Sequence, residues 1–247
     1  MMILRTKFKG EIISEFLPPQ KPSSRVAILC FGMPGMPKNK ELMTFFSKKG
    51  FWVFLPRYRG SWESGGEFLE QSPHEDIVDV ILGLRTGFQD FWSGKKHKIK
   101  NPEVYLFGSS FGGPAAILAS SHPLVKYVVC SCPVIDWKSP SKEEPLNKLG
   151  KFVREAFGEG YRFPMKNWNK LSTGKFYNPI AKASEISGKK LLLIHAKDDR
   201  VVSFKPTVKF AKLTDSKLIL LPKGGHIGSK IFMDPKMWKT VKKHLKI

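Results

Sequence analysis

Three stretches of this chain carry side chains whose types could do nucleophilic chemistry together. The first is Gly108-Ser109-Ser110-Phe111-Gly112, preceded by the apolar run Val104 to Phe107 and followed by small residues from Gly113 to Ala119. This Gly-x-Ser-x-Gly spacing reads as a buried strand, a tight turn with Ser110 at its apex, and a helix starting so close to the strand that Cβ atoms would not fit at the glycines. Among 21 glycines the pattern alone is a weak signal, and its partners decide its weight. A serine hydroxyl is a poor nucleophile until a base takes its proton, and the base needs an acid to orient it. The second stretch, Asp198-Asp199-Arg200-Val201-Val202, offers two acids, and the third, Gly224-Gly225-His226, offers the base. The order serine, acid, histidine suits acyl transfer, with Ser110 as nucleophile, His226 as base and Asp198 or Asp199 as orienting acid.

The elements around these residues place each one at the end of a strand. Arg25 to Phe31 is a continuous apolar strand of the kind covered on both faces, and Phe51 to Leu55 is the next. Leu191 to Ala196 precedes the acids, and Lys217 to Leu221 precedes the histidine. An open α/β sheet builds its site beyond the carboxyl ends of its strands, where all three stretches fall. Helices are expected from Lys38 to Lys49, after the loop Gly32 to Pro37, then near Lys205 to Leu213 and near Pro235 to Ile247. Another should start at Ser72-Pro73-His74-Glu75, an N-cap, first-turn proline and capping-box glutamate, with Ile77, Ile81, Leu84, Phe88 and Phe91 on one face. Ile3 to Phe8 and Glu11 to Leu17 read as two opening strands. Strand alternating with helix implies an α/β fold with a mostly parallel central sheet flanked by helices.

The alternation stops between Pro133 and Ile180. That stretch has prolines at 133, 140, 145, 164 and 179, many aromatics, and one amphipathic helix carrying Leu146, Leu149, Phe152, Val153 and Phe157. Its length argues for an inserted helical cap over residues 133–180, with residues 1–132 and 181–247 forming the core. Trp137, Phe157, Tyr161 and Trp168 are the residues of this cap expected to roof a substrate pocket, against the alternative that they pack inside it. Ser109 reads as a turn residue, and His195, inside a strand, as a packed or hydrogen-bonded histidine rather than a second base. His74 reads as a helix-start residue, and His97, His122 and His244 as surface positions. Arg57, Arg59 and Glu67 read as a turn held by a salt bridge.

These motifs resemble those of the α/β-hydrolases along nearly the whole chain. The similarity is greatest to small esterases and to the catalytic domains of prolyl-oligopeptidase-like enzymes. Phe31-Gly32-Met33-Pro34-Gly35, Tyr58-Arg59-Gly60-Ser61, Gly108 to Gly112, His195 to Val202 and Gly224-Gly225-His226 carry it. In that family the acid commonly lies three residues after the glycine of a His-Gly pair and three before a valine. With His195-Ala196 standing for the pair and Val202 for the valine, the resemblance selects Asp199 over Asp198. It also implies an oxyanion hole made by the backbone N–H groups of Met33 and Phe111. The family often has His-Gly where this chain has Phe31-Gly32, a departure that touches substrate contacts rather than the backbone donors.

Composition bounds the partners. Three cysteines, at positions 30, 130 and 132, all lie in strand-like runs, so no disulfide framework is indicated, and no cofactor or metal is expected. No run approaches the roughly 20 apolar residues of a membrane span, and the first ten residues lack a signal-peptide core. A cytoplasmic location is the expectation. The net charge of +21 comes from 42 basic against 21 acidic residues spread along the chain, which reads as a solvated surface rather than a specific nucleic-acid site. The resemblance therefore implies a serine hydrolase acting on a small carboxylic ester. A peptidase or acylaminoacyl hydrolase is the alternative, although those enzymes usually carry a propeller that the roughly 25 residues before the first core strand could not form. A non-catalytic hydrolase-like protein binding an anionic partner is the alternative from another class.

Overall fold

Apolar β-branched and aromatic runs fold into strands that neighbouring helices cover, and their registers decide where the three reactive loops meet. The computed structural model describes residues 2–36, 38–139, 141 and 143–247, so Pro37 of the expected loop and Pro140 of the expected cap lie outside the described residues. The strands are β1 (Leu4–Phe8), β2 (Ile12–Leu17), β3 (Arg25–Cys30), β4 (Trp52–Pro56), β5 (Phe88–Gln89), β6 (Lys96–His97), β7 (Glu103–Ser109), β8 (Val125–Ser131), β9 (Leu191–Ala196) and β10 (Lys217–Leu221). The helices are α1 (Lys40–Lys48), α2 (Pro73–Thr86), α3 (Gly112–Leu118), α4 (Leu146–Phe157), α5 (Met165–Asn169), α6 (Phe204–Thr214) and α7 (Pro235–Leu245).

Eight strands form one sheet in the order β1-β2-β4-β3-β7-β8-β9-β10. β1 and β2 are antiparallel, β2 meets β4 antiparallel, and every pairing from β4 to β10 is parallel. Strands buried on both faces must be apolar throughout. β7 and β9 are buried along nearly their whole length and are mostly apolar, with His195 of β9 and Ser109 at the end of β7 as buried polar exceptions. In the register, Gly108 of β7 lies beside Cys30 of β3 and Cys130 of β8, and Leu221 of β10 lies beside Ala196 of β9. The loops that follow β3, β7, β9 and β10 therefore leave the same edge of the sheet.

Several local expectations change. α2 ends at Thr86 because Gly87 turns the chain out with φ 106°, so Phe88 passes into a two-residue strand paired with β6, and Phe91 is half exposed. The Ser72 hydroxyl bonds the Nδ1 of His74 (2.7 Å) instead of capping the helix. His244 is buried with its Nε2 on the Lys190 carbonyl (3.1 Å), and the ring of His97 stacks on Phe88 at 5.4 Å, so neither is a free surface histidine. Arg59 ion-pairs with Glu11, Asp76 and Asp79, and Arg57 pairs with Glu15 and Glu63, which fastens the turn after β4 to β2 and α2.

Residues 133–180 leave β8 and return to β9 carrying α4, α5 and several 3₁₀ turns. α4 shows why the stretch folds against the rest: Val153 and Gly150 face inward, Trp168 packs against Gly150, and Phe152 on the other face is exposed. Among the described residues, no helix is long and apolar enough to cross a membrane.

Candidate active site

Ser110 sits where β7 turns into α3, at φ 50°, a left-handed conformation that a non-glycine residue adopts only under constraint. The constraint comes from three glycines that let backbones touch. A Cβ on Gly108 would stand 2.7 Å from the Gly112 carbonyl oxygen, one on Gly112 would land on the Cys30 carbonyl, and one on Gly113 would land on Pro133. Two further bonds fix the turn: the Ser110 N–H donates to the Ser131 carbonyl (3.1 Å), and its own carbonyl accepts from Gly113 and Val134 (3.0 and 3.2 Å).

Asp199 follows β9 and its carboxylate is fully enclosed. Oδ1 accepts the N–H groups of Val201 and Val202, both at 2.9 Å. Oδ2 accepts Nδ1 of His226 at 2.9 Å and Nε2 of His195 at 3.2 Å. A carboxylate has about four acceptor sites, and here all four are used. Burial alone would raise this group, but the bonds from His195, His226 and Val202 outweigh it and hold the carboxyl well below the ordinary range. Asp198 faces the other way and accepts the Gly225 N–H (2.9 Å), which steadies the loop that carries His226. Its carboxyl is also lowered, chiefly by that backbone bond.

In the neutral ring, a bond from Nδ1–H of His226 to Asp199 selects the tautomer whose Nε2 carries the lone pair, the form a proton acceptor needs. The His226 loop is tied to the serine side through Ser131, whose hydroxyl donates to the Ile227 carbonyl (2.7 Å) and whose own carbonyl accepts from Ser110. Among the described residues no hydrogen bond joins the Ser110 hydroxyl to His226, so the Asp199–His226 contact is made and the Ser110–His226 contact is open. Such bonds are often long before substrate arrives.

Ser110, Met33 and Phe111 line one cavity of about 230 Å³. The backbone N–H groups of Met33 and Phe111 have no acceptor among the described residues. Above them the walls come from Val134 to Ser139 and from Glu144 to Leu149, and Val201 and Val202 of the acid loop close one side. Trp137 belongs to this wall, but Phe157, Tyr161 and Trp168 do not. Trp168 is buried against Gly150 and donates to the Leu146 carbonyl (2.9 Å), Tyr161 stacks edge-on with Phe68 (5.1 Å), and Phe157 rests on Tyr161 (5.8 Å). Packing within the segment, and for Tyr161 against Phe68 and Trp62 of the core, claims them because large rings gain most where both faces are covered.

Sequence reasoning missed Ser131 and Glu144, and placed His195 as a packed or hydrogen-bonded residue without naming its partner. His195 donates from Nε2 to both the Val202 carbonyl (3.0 Å) and Asp199 while its Nδ1 meets Thr207 Oγ1 (2.9 Å), so it braces the acid. A lone polar residue in an otherwise apolar strand was its only signal. Ser131 and Glu144 had no local signal at all. Among the described residues one group could hold a metal, Cys132, His195 and Asp199, whose ligand atoms lie within 4.8 Å of one another. Burial and the nearby Asp199 carboxylate push the Cys132 thiol up to about 12, so without a metal it stays protonated.

Comparison with solved structures gives the same fold in several hydrolases. The acylaminoacyl peptidase of Pyrococcus horikoshii matches with a TM-score of 0.66 at 20% identity over 99% of this chain, which spans 40% of that one. An esterase of Pyrococcus furiosus matches with 0.66 at 19% identity over 99% of this chain and 89% of its own. The Est1E protein of Butyrivibrio proteoclasticus, solved with ferulic acid bound, matches with 0.62 at 14% identity over 100% of this chain and 97% of its own. The curated proteins contain no match. The model of the prolyl oligopeptidase family matches residues 38–239, and on that span, which takes in all three reactive loops, the chain belongs to the prolyl oligopeptidase family of α/β-hydrolases.

Proposed function

We propose that the protein is a serine hydrolase that cleaves small carboxylic esters through an acyl-enzyme on Ser110. The observation that carries this is the saturated Asp199 carboxylate, which takes Nδ1–H of His226 and leaves Nε2 as the base. As Ser110 Oγ attacks the carbonyl carbon, His226 Nε2 takes the hydroxyl proton, and Asp199 stabilises the imidazolium that forms. The carbonyl oxygen becomes an anion aimed at the Met33 and Phe111 amides, whose lack of other acceptors suits them to receive it. Collapse expels the alcohol, which takes the proton from His226. Water, deprotonated by His226, then attacks the acyl carbon and frees Ser110. Residues 133–180 act as the cap that shapes the acyl pocket.

Ester substrates fit a cavity walled largely by apolar side chains, and the Pyrococcus furiosus esterase and Est1E match this chain over most of their own length. The second reading, an acylaminoacyl or peptide hydrolase, draws on the family and on the acylaminoacyl peptidase neighbour. The test is turnover of nitrophenyl esters of graded acyl length against aminoacyl nitroanilides, alongside labelling by a fluorophosphonate probe. Ester cleavage should dominate, and Ser110→Ala should remove labelling and lower kcat by more than about 10⁴-fold. Anilide cleavage at comparable rates would favour the second reading, and equal absence of labelling in both proteins would end the enzyme reading.

A further inference from the structure

Acidic side chains are scarce in this chain, and inside the protein most are already paired: Asp76 and Asp79 with Arg59, Glu15 with Arg57, and Asp199 with two histidines. Glu144 differs. It lines the same cavity as Ser110, is partly buried, and its carboxylate has no hydrogen bond or ion pair among the described residues. Of the neighbouring charges, Asp136 and Arg200 are committed elsewhere, and Lys138, which also lines the cavity, lays its aliphatic carbons against Gly174 and makes no ion pair with Glu144 among the described residues. Asp136 accepts the Lys138 N–H (3.0 Å), and Arg200 pairs with Glu143 at 2.9 Å. Burial is the main reason its carboxyl is raised, with the charges of Glu143 and Asp199 adding to it and His226 opposing. That balance shows the group lies within electrostatic reach of the acid–base pair. A half-buried carboxylate with no partner is costly unless something supplies a donor.

We infer that Glu144 selects substrates carrying a protonated amine in the group that enters the cavity, an ammonium ester or amide whose remaining surface is apolar. The inference rests on the serine-hydrolase reading above. The chain's charge of +21 opposes a cationic ligand at long range, but at physiological salt that field fades within roughly 8 Å, so inside the cavity the nearest carboxylate governs. The apolar side chains of Val134, Leu146, Leu149 and Val202 would cover the hydrocarbon part of such a group. No covalent step changes; Glu144 is a specificity-determining residue that touches substrate away from the reacting carbonyl.

The test compares 2-naphthyl esters in two matched pairs, leucine against 2-hydroxy-4-methylpentanoate and 6-aminohexanoate against 6-hydroxyhexanoate, at about pH 7 in wild type and Glu144→Gln. Wild type should prefer the ammonium member of at least one pair by about tenfold to a hundredfold in kcat/KM, the range of a hydrogen-bonded charge pair, and Glu144→Gln should bring that ratio near one. A ratio that survives in Glu144→Gln while both esters slow equally would assign Glu144 to supporting His226 and overturn the inference. So would a wild type with no preference in either pair. Fluorophosphonate labelling separates the two levels: labelled Ser110 with no ammonium preference removes only this inference, whereas an unlabelled wild type removes the serine-hydrolase reading and this inference with it. Protection of Ser110 from labelling by 3-methylbutan-1-amine, compared with 3-methylbutan-1-ol, reads binding without turnover. Glu144→Gln should lose the amine's advantage there, and equal protection by the two in wild type would overturn the inference.

Discussion

The loops after β3, β7 and β9 and the segment from 133 to 180 face one cavity, yet they are held by different means. The loops are fixed by backbone contact and filled hydrogen-bond sites: three glycines with no room for Cβ, a serine at φ 50°, and a carboxylate with four donors. The segment above is anchored by backbone bonds of Gly160 and Arg162 to Gly60, Trp62 and Phe68 (2.7 to 3.0 Å), while its cavity wall is held by ring packing and bonds within the segment, such as Trp137 Nε1 to the Tyr177 carbonyl (2.7 Å) and Trp168 Nε1 to the Leu146 carbonyl (2.9 Å). Backbone contact fixes atoms to fractions of an ångström, and aromatic packing tolerates exchange of side chains. Reacting atoms belong where error is least affordable, and the walls that choose a substrate belong where change is tolerated.

The sharpest way to break this comparison is to change one donor–acceptor assignment in the lower layer. Asn at 199 would turn an N–H toward groups that are themselves donors, and His226 would lose the bond that sets its tautomer. Asp199→Asn should lower kcat on the order of 10⁴-fold, roughly 5 kcal/mol of transition-state stabilisation, measured with the neutral nitrophenyl esters. Asp199 also sets a pH signature. Its folded pKa lies below the unfolded value, so its contribution to stability is complete above about pH 4 and is lost as pH falls through the folded value. The gap in urea midpoint between wild type and Asp199→Asn should narrow as pH drops from about 6 to about 3. A gap that stays constant would show that the negative charge is not what the four donors hold.

Next in size is a steric test of the same layer. A methyl at Gly112 would collide with the carbonyl groups of Cys30 and Phe31, which belong to β3 and the loop after it and have little freedom to move. Gly112→Ala should cost about 3 kcal/mol, seen as a lower urea midpoint, and should slow probe labelling of whatever remains folded. A neutral outcome would mean that the turn after β7 is softer than the layer above it, reversing the contrast.

How much of each layer the sequence disclosed follows from the same difference. The turn at Ser110 was readable because glycine and serine spacing is a local consequence of strand meeting helix, and the candidate acids and base were readable because each follows its own apolar strand, although only the family resemblance chose Asp199 over Asp198. His195 was visible as a polar residue in β9, but its bond to Asp199 depends on a loop curling back over it. The upper layer was legible only as a helix-bearing insertion. Trp137, Phe157, Tyr161 and Trp168 look alike as aromatic residues, and only one of them lines the cavity, because which ring turns inward is decided by partners such as Gly150 and Phe68 far away in the chain. Local rules also failed at α2, where apolar spacing continued through Phe88 and Phe91 although Gly87 had already ended the helix. Glu144 is the extreme case: nothing in its neighbours marks it, and its proposed meaning comes from lining the same cavity as Ser110.

The smallest expected effect lies where the two layers touch. The Tyr177 hydroxyl donates to the Phe111 carbonyl at 2.6 Å, and its ring packs on Phe111 at 5.1 Å. Phe111 is the residue whose N–H is proposed to face the oxyanion, so this bond is the most direct route by which the upper layer could aim the chemistry below. Tyr177→Phe keeps the ring and removes one buried hydrogen bond, which should cost about 1 kcal/mol in stability. If the turn holds itself, as its glycine contacts and the Ser110 to Ser131 bond imply, kcat for a neutral ester should fall by less than about threefold, since the Phe111 amide would keep its direction. A fall of a hundredfold, the size of a lost oxyanion donor, would show that the amide is steered from above and that the two layers work as one unit.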